Sequence, residues 1–138
     1  MDLNECFQKG TIKKTFIDRE LIKSLLEMSD INESTVKTAS LSEKNISSYV
    51  ALAYDSLRGV LEALCILHGY KVLNHICIGE LLVTLINDFD YDEFDRLRWI
   101  RNGINYYGKK VDFEQGKEII SKIFLMKKKI IGKHLKSF

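Results

Sequence analysis

Arg101, Asn102, Asn105, Tyr106 and Tyr107 fall within one short stretch, and Gly108, Lys109 and Lys110 follow directly. Guanidinium, amide, phenol and ammonium groups gathered this closely suit a ligand that carries phosphate. A guanidinium can grip two phosphate oxygens at once. Amides and phenols add hydrogen bonds, aromatic rings stack on bases, and lysines add charge along a backbone. A nucleotide or single-stranded RNA presents the complementary features.

The helix that must carry these groups explains why Arg101 stands out. With Leu97 as the zero of the apolar stripe, Ile104 lies near roughly −20° and Phe94 near roughly 60°. Arg101 lies near roughly 40°, inside that stripe, and Asn105 near roughly 80°. A guanidinium centred on an apolar face must find a partner or line a cavity, because a lone buried charge is costly. Two explanations stand open at this point. Arg101 pairs with a carboxylate such as Asp55 or Glu62 on an earlier helix, or it points into a cleft at the helix end.

Apolar periodicity places the remaining elements. Residues 18–28 form a helix on Leu21, Ile22, Leu25 and Leu26, with Asp18 as its N-cap. Ser29-Asp30 breaks that pattern, and a shorter helix follows over 32–39. The longest helix spans 43–67, capped by Ser42, with a stripe through Ile46, Val50, Ala53, Leu57, Val60, Leu61, Leu64 and His68. Helices over 75–89, 92–106 and 113–135 complete the set, with Asn74 capping the first and Gly108 ending the second. Gly79, inside the first of these, is placed to let a neighbour approach closely. Residues 1–17 hold a short helical possibility around 3–8 that ends at Gly10. There is no proline, which favours long helices over turn-rich β structure. Short connections imply antiparallel neighbours. The expected fold is all-α: an up-and-down four-helix bundle, residues 43–135, with an N-terminal helical addition, residues 1–40, in a single domain spanning 1–138.

Composition narrows the class. Apolar residues make up 46% and charged residues 29%, a balance that fits a folded domain rather than a disordered chain. Net charge is +2, yet residues 109–138 hold nine lysines against Asp112, Glu114 and Glu118. That end can steer a polyanion, although charge runs are most often solvated helix faces. Asp88, Asp90, Asp92, Glu93 and Asp95 read as a turn followed by helix N-terminal charges, since the glycine and terminal glutamate of a calcium loop are missing. His68, His75 and His134 are not spaced as metal ligands, and no metal or cofactor is expected. Cys6, Cys65 and Cys77 are odd in number and show no C-x-x-C spacing, so a disulfide is not expected, and Cys65 reads as a buried free thiol. Unpaired cysteines, no signal-peptide pattern over residues 1–20 and no long apolar run point to the cytoplasm.

Three stretches resemble the HEPN superfamily of prokaryotic helical domains, over roughly residues 43–135. The first runs from Ala53 through Tyr54, Asp55, Arg58 and Glu62 to Leu64 and is followed by His68-Gly69-Tyr70, like the family's long helix and its Gly-aromatic turn. The second is Asn74-His75, opening the next helix. The third runs from Leu97 to Gly108, where Arg101 and the polar Asn102 match the family's signature. The resemblance implies a homodimer whose signature motifs meet across a shared cleft. It further implies a toxin-like, metal-independent ribonuclease, often paired with a nucleotidyltransferase that acts as antitoxin. In active members a histidine follows the arginine after four to six intervening residues; here Tyr106 and Tyr107 stand in that window. A free tyrosine has a pKa near about 10, high for a base at neutral pH. The expectation is therefore a nucleotide- or RNA-binding domain with weakened or lost cleavage. By that resemblance Arg101, Asn102 and Tyr106 would take the catalytic positions, with Arg101, Asn105, Tyr107, Lys109 and Lys110 holding the ligand. The alternative is a non-catalytic subunit that docks on a separate nucleotidyltransferase.

Overall fold

The computed structural model describes residues 1–138. In chain order the elements are α1 (Leu3–Gln8), β1 (Ile12–Lys14), α2 (Arg19–Thr38), α3 (Ile46–Leu67), β2 (Tyr70–Val72), α4 (His75–Leu85), α5 (Tyr91–Tyr107) and α6 (Phe113–His134). Helix α3 is the axis. Ile46, Val50, Ala53, Leu57, Val60, Leu61 and Leu64 are buried along it, as their spacing requires. Tyr54, Ser56, Ala63, Cys65 and Ile66 are buried too, whereas His68, at the end of the expected stripe, is exposed. A helix buried around so much of its circumference needs cover on several sides. It has that cover from α2, α4, α5 and α6, and α1 lies against α4. No helix is long and apolar enough to cross a membrane.

Helices hold 71% of the residues, so the chain is mostly helical, but it is not all-α. Gly10 and Gly69 end helical segments at φ 71° and 86°, and the chain leaves each of them extended. The strands that follow pair antiparallel, with Ile12 opposite Val72, Lys13 opposite Lys71 and Lys14 opposite Tyr70. Three-residue strands so far apart in sequence leave no turn signature to read.

Helix α2 is continuous where the sequence suggested a break at Ser29-Asp30. Ser29 is buried, and its hydroxyl donates to the Ser56 carbonyl at 2.6 Å, which ties α2 to α3. Neither residue lacks a backbone donor, and their low helix propensity costs only about half a kcal/mol each. Helix α3 starts at Ile46 rather than 43, because the Asn45 side chain turns back, accepting from the Ser42 amide and donating to the Ser40 carbonyl. Helix α4 stops at Leu85 rather than 89: Ile86 turns extended and buries its side chain in the core. Gly79 does allow a close approach, since a Cβ there would meet the Phe94 and Tyr91 rings at 3.1 Å.

The cysteine reading needs correction. Cys6 of α1 and Cys77 of α4 form a disulfide, 71 residues apart. Sequence spacing carries no information about so distant a pair, and the odd count hid it, because Cys65 is the buried free thiol. Closing a loop of this length restricts the unfolded chain and stabilises the fold by roughly 4 kcal/mol. The expectation of a cytoplasmic location rested in part on unpaired cysteines and loses that support.

Candidate functional site

Helix α5 is set by its ends. Asp90 caps it, accepting from the Glu93 amide, so the acidic stretch is a turn leading into a helix start. Gly108 closes it in the left-handed conformation at φ 63°. Phe94 and Leu97 are buried against the core, and one turn further on the same face carries Arg101. Its side chain is only 14% exposed.

What meets Arg101 there comes mainly from α3. An Nη2 of Arg101 lies 3.5 Å from Oδ1 of Asp55, the longer side of an ion pair. Nη1 donates to the Tyr106 hydroxyl at 3.2 Å. The guanidinium carbon sits 5.7 Å from the Tyr54 ring centre and 5.7 Å from that of Tyr106, within cation–π range. Of the two carboxylates expected as partners, Asp55 is the one found; Glu62 accepts instead from Arg58 at 2.8 Å. Arg58 also reaches to 4.0 Å from Asp55. Arg98, one turn before Arg101, is bound by Asp95 at 2.8 and 3.1 Å.

This cluster is incompletely satisfied. Oδ1 of Asp55, Nε of Arg58 and Nε of Arg101 are all buried without a hydrogen-bond partner. An unmade bond of this kind costs about 1–3 kcal/mol, so each asks for an explanation. Two guanidinium groups share one carboxylate oxygen at distances too long for good hydrogen bonds.

The N-terminus of α4 brings a further group. The Tyr54 hydroxyl lies 3.0 Å from Nδ1 of His75, and the rings sit 5.5 Å apart. Tyr54 also stacks on Phe94. Burial, followed by the positive charges of Arg58, Arg101 and Arg98, pushes the imidazole down to about 4, so it is neutral at pH 7. Burial pushes the Tyr54 hydroxyl up, which keeps it protonated. No three His, Cys, Asp or Glu side chains come together as a metal-binding group.

The residues singled out in the sequence divide between two faces of α5. Arg101 and Tyr106 meet, although the Tyr106 ring is 68% exposed. Asn102 is half-buried and Asn105 exposed. Tyr107, Lys109 and Lys110 lie elsewhere, with Trp99, Gly103 and Lys122, along a groove of about 510 Å³ between α5 and α6. Sequence reading missed Tyr54, Arg58, Arg98 and His75 as members of the Arg101 cluster. Arg98 was legible, since three residues before Arg101 is the same helix face. His75 carried no such signal, because only the packing of α4 on α3 and α5 brings it there. No protein-family model, curated protein or solved structure matches this chain.

Proposed function

We propose that this chain binds phosphate groups of a nucleotide or single-stranded RNA at the Arg101 face, as a HEPN-like helical bundle acting as a homodimer. One observation carries the reading. Arg101 is mostly buried, yet its one carboxylate contact, to Asp55, is long, its hydrogen bond goes to the exposed Tyr106 hydroxyl, and its Nε is unpartnered. A guanidinium serving structure alone would be closed by short bonds, as Arg98 is by Asp95. Supporting features are the Gly69-Tyr70 turn after α3, Asn74-His75 at the start of α4 and Arg101 in the last turns of α5. The phosphate would lie against Arg101, with Tyr106 donating from the helix end; a second copy would bring its own α5 end to the same cleft. Cleavage would be weak, because Tyr106 stands where an acid–base histidine is wanted.

Single-stranded RNA incubated with the purified protein in EDTA tests the enzymatic form: slow cleavage that disappears in Arg101→Ala supports it, and intact RNA removes it. Sedimentation tests the dimer. A second reading, a subunit docked on a nucleotidyltransferase, is favoured by Trp99 and Tyr107, which are 62% and 74% exposed on the side of α5 away from Arg101. Co-purification with such a protein, lost in Trp99→Ala, would favour it.

A further inference from the structure

The Tyr54–His75 pair is unexplained by packing alone. A buried tyrosine hydroxyl needs a partner, but a carbonyl would serve. Here the partner is an imidazole, and the same Tyr54 ring that meets it lies 5.7 Å from the Arg101 guanidinium, an unfavourable place for a group that can become a cation. Nδ1 is held by Tyr54, and Nε2 has no hydrogen-bond partner within the protein. The charged groups acting on the ring are Arg58 of α3 and Arg98 and Arg101 of α5; α1 and β2, which also pack on α4, bring no charge that shifts it.

We propose that Nε2 of His75 is a phosphate ligand of the Arg101 site, and that the ring takes up a proton from solvent as a phosphate group binds. This rests on the phosphate-binding reading given above. In the free protein the arginines repel a second cation. A phosphate group seated among them neutralises that field and adds an anion beside the ring, so both changes favour imidazolium. Tyr54 accommodates either state. Its hydroxyl donates to Nδ1 when the ring is neutral, and accepts from Nδ1–H when the ring is charged. Because the hydroxyl stays protonated, this reversal is a rotation about the C–O bond that turns its proton away from Nδ1. The neutral ring donates one hydrogen bond to phosphate through Nε2–H, and the charged ring makes that bond charge-assisted and stronger.

Affinity and pH are therefore linked. The ring binds its proton only weakly when the site is empty, with a value of about 4. If binding merely returns it to an ordinary value near about 6.5, affinity rises about tenfold between pH 7.5 and 5.5.

The probe is the thymidine dinucleotide TpT, whose single phosphodiester keeps one charge over this range and has no 2′-hydroxyl to react. Its affinity is measured from pH 5.5 to 7.5 for the wild type, His75→Gln and Arg101→Ala, and the His75 ring of the wild type is titrated by NMR with and without TpT. The expected result is Arg101-dependent binding that tightens about tenfold toward pH 5.5. The pH dependence should be flat in His75→Gln, and the His75 titration should move up on binding. Arg101-dependent binding with an unmoved His75 ring overturns this proposal and leaves the phosphate site standing. An absence of TpT binding at every pH overturns both. The NMR titration uses the unaltered protein, so the outcome does not depend on His75→Gln folding.

Discussion

Lys127 and Arg101 are both cations buried against a neighbouring helix, and they are held in opposite ways. Lys127 of α6 is 3% exposed, the more deeply buried of the two. Its ammonium reaches Glu33 at 2.8 Å and donates to the Ser29 carbonyl at 3.3 Å. Glu33 is also held by Lys37 at 2.7 Å. Burial pushes the Glu33 carboxyl up, but the hydrogen bonds from Lys127 and Lys37 outweigh it and hold the group below its ordinary value. Arg101 is less buried, has more donors and satisfies fewer of them. The lesson is that burial of a charge does not identify its role; the completeness of its partner set does. Lys127 closes a seam between α2 and α6, and Arg101 leaves bonds for something outside the chain to make.

The largest expected effect is on stability, at Lys127. Lys127→Met should cost about 3 kcal/mol in urea unfolding, because it strands part of the Glu33 charge. Changing Glu33→Leu as well should recover most of that loss, and neither change should alter nucleotide affinity. Arg101→Ala should show the reverse pattern: binding of single-stranded RNA weakened by about 10- to 100-fold, the worth of one or two charge-assisted hydrogen bonds, with unfolding changed by less than about 1 kcal/mol. Asp55→Asn sharpens the contrast further. It removes the carboxylate that competes with phosphate for Arg101, so affinity should rise about threefold, the size of a weak ion pair.

The smallest effect is the pH dependence of stability that His75 adds in the Arg101 region. His75 is neutral when folded, with its value lowered to about 4, whereas an unfolded histidine titrates near 6.5. Between those values the unfolded chain binds more protons, so stability is full above 6.5 and declines as pH falls toward 4. Unfolding midpoints at pH 7 and pH 5 should differ less in His75→Gln than in the wild type.

Much of the fold was legible because it is written in local periodicity. The α3 stripe, the caps at Asp18 and Asn74, and the stop at Gly108 all depend on residues within a few positions of one another. The helix-end misreadings at α3 and α4 are local, but the larger failures share one cause, dependence on distant partners. The β1–β2 pairing, the Cys6–Cys77 bond and the burial of Lys127 each join segments far apart in sequence. Lys127 in particular looked like one more member of a solvated lysine run. The site follows the same rule. Arg101 was visible as an anomaly on an apolar face, and Asp55 as one of two partners. His75 was visible only as a helix-opening residue and not as a neighbour of Arg101, and Tyr107, Lys109 and Lys110 were grouped with Arg101 by sequence although they line another groove.

The central claim is that Arg101 is held open for a phosphate ligand rather than closed for structure. Its most direct test is fluorescence anisotropy of a labelled single-stranded RNA with wild type and Arg101→Ala, each checked by thermal unfolding. The account predicts affinity at least about tenfold weaker in Arg101→Ala, with a melting temperature within a few degrees of wild type. Equal affinity in the two proteins, or loss of the fold with the arginine, would contradict it.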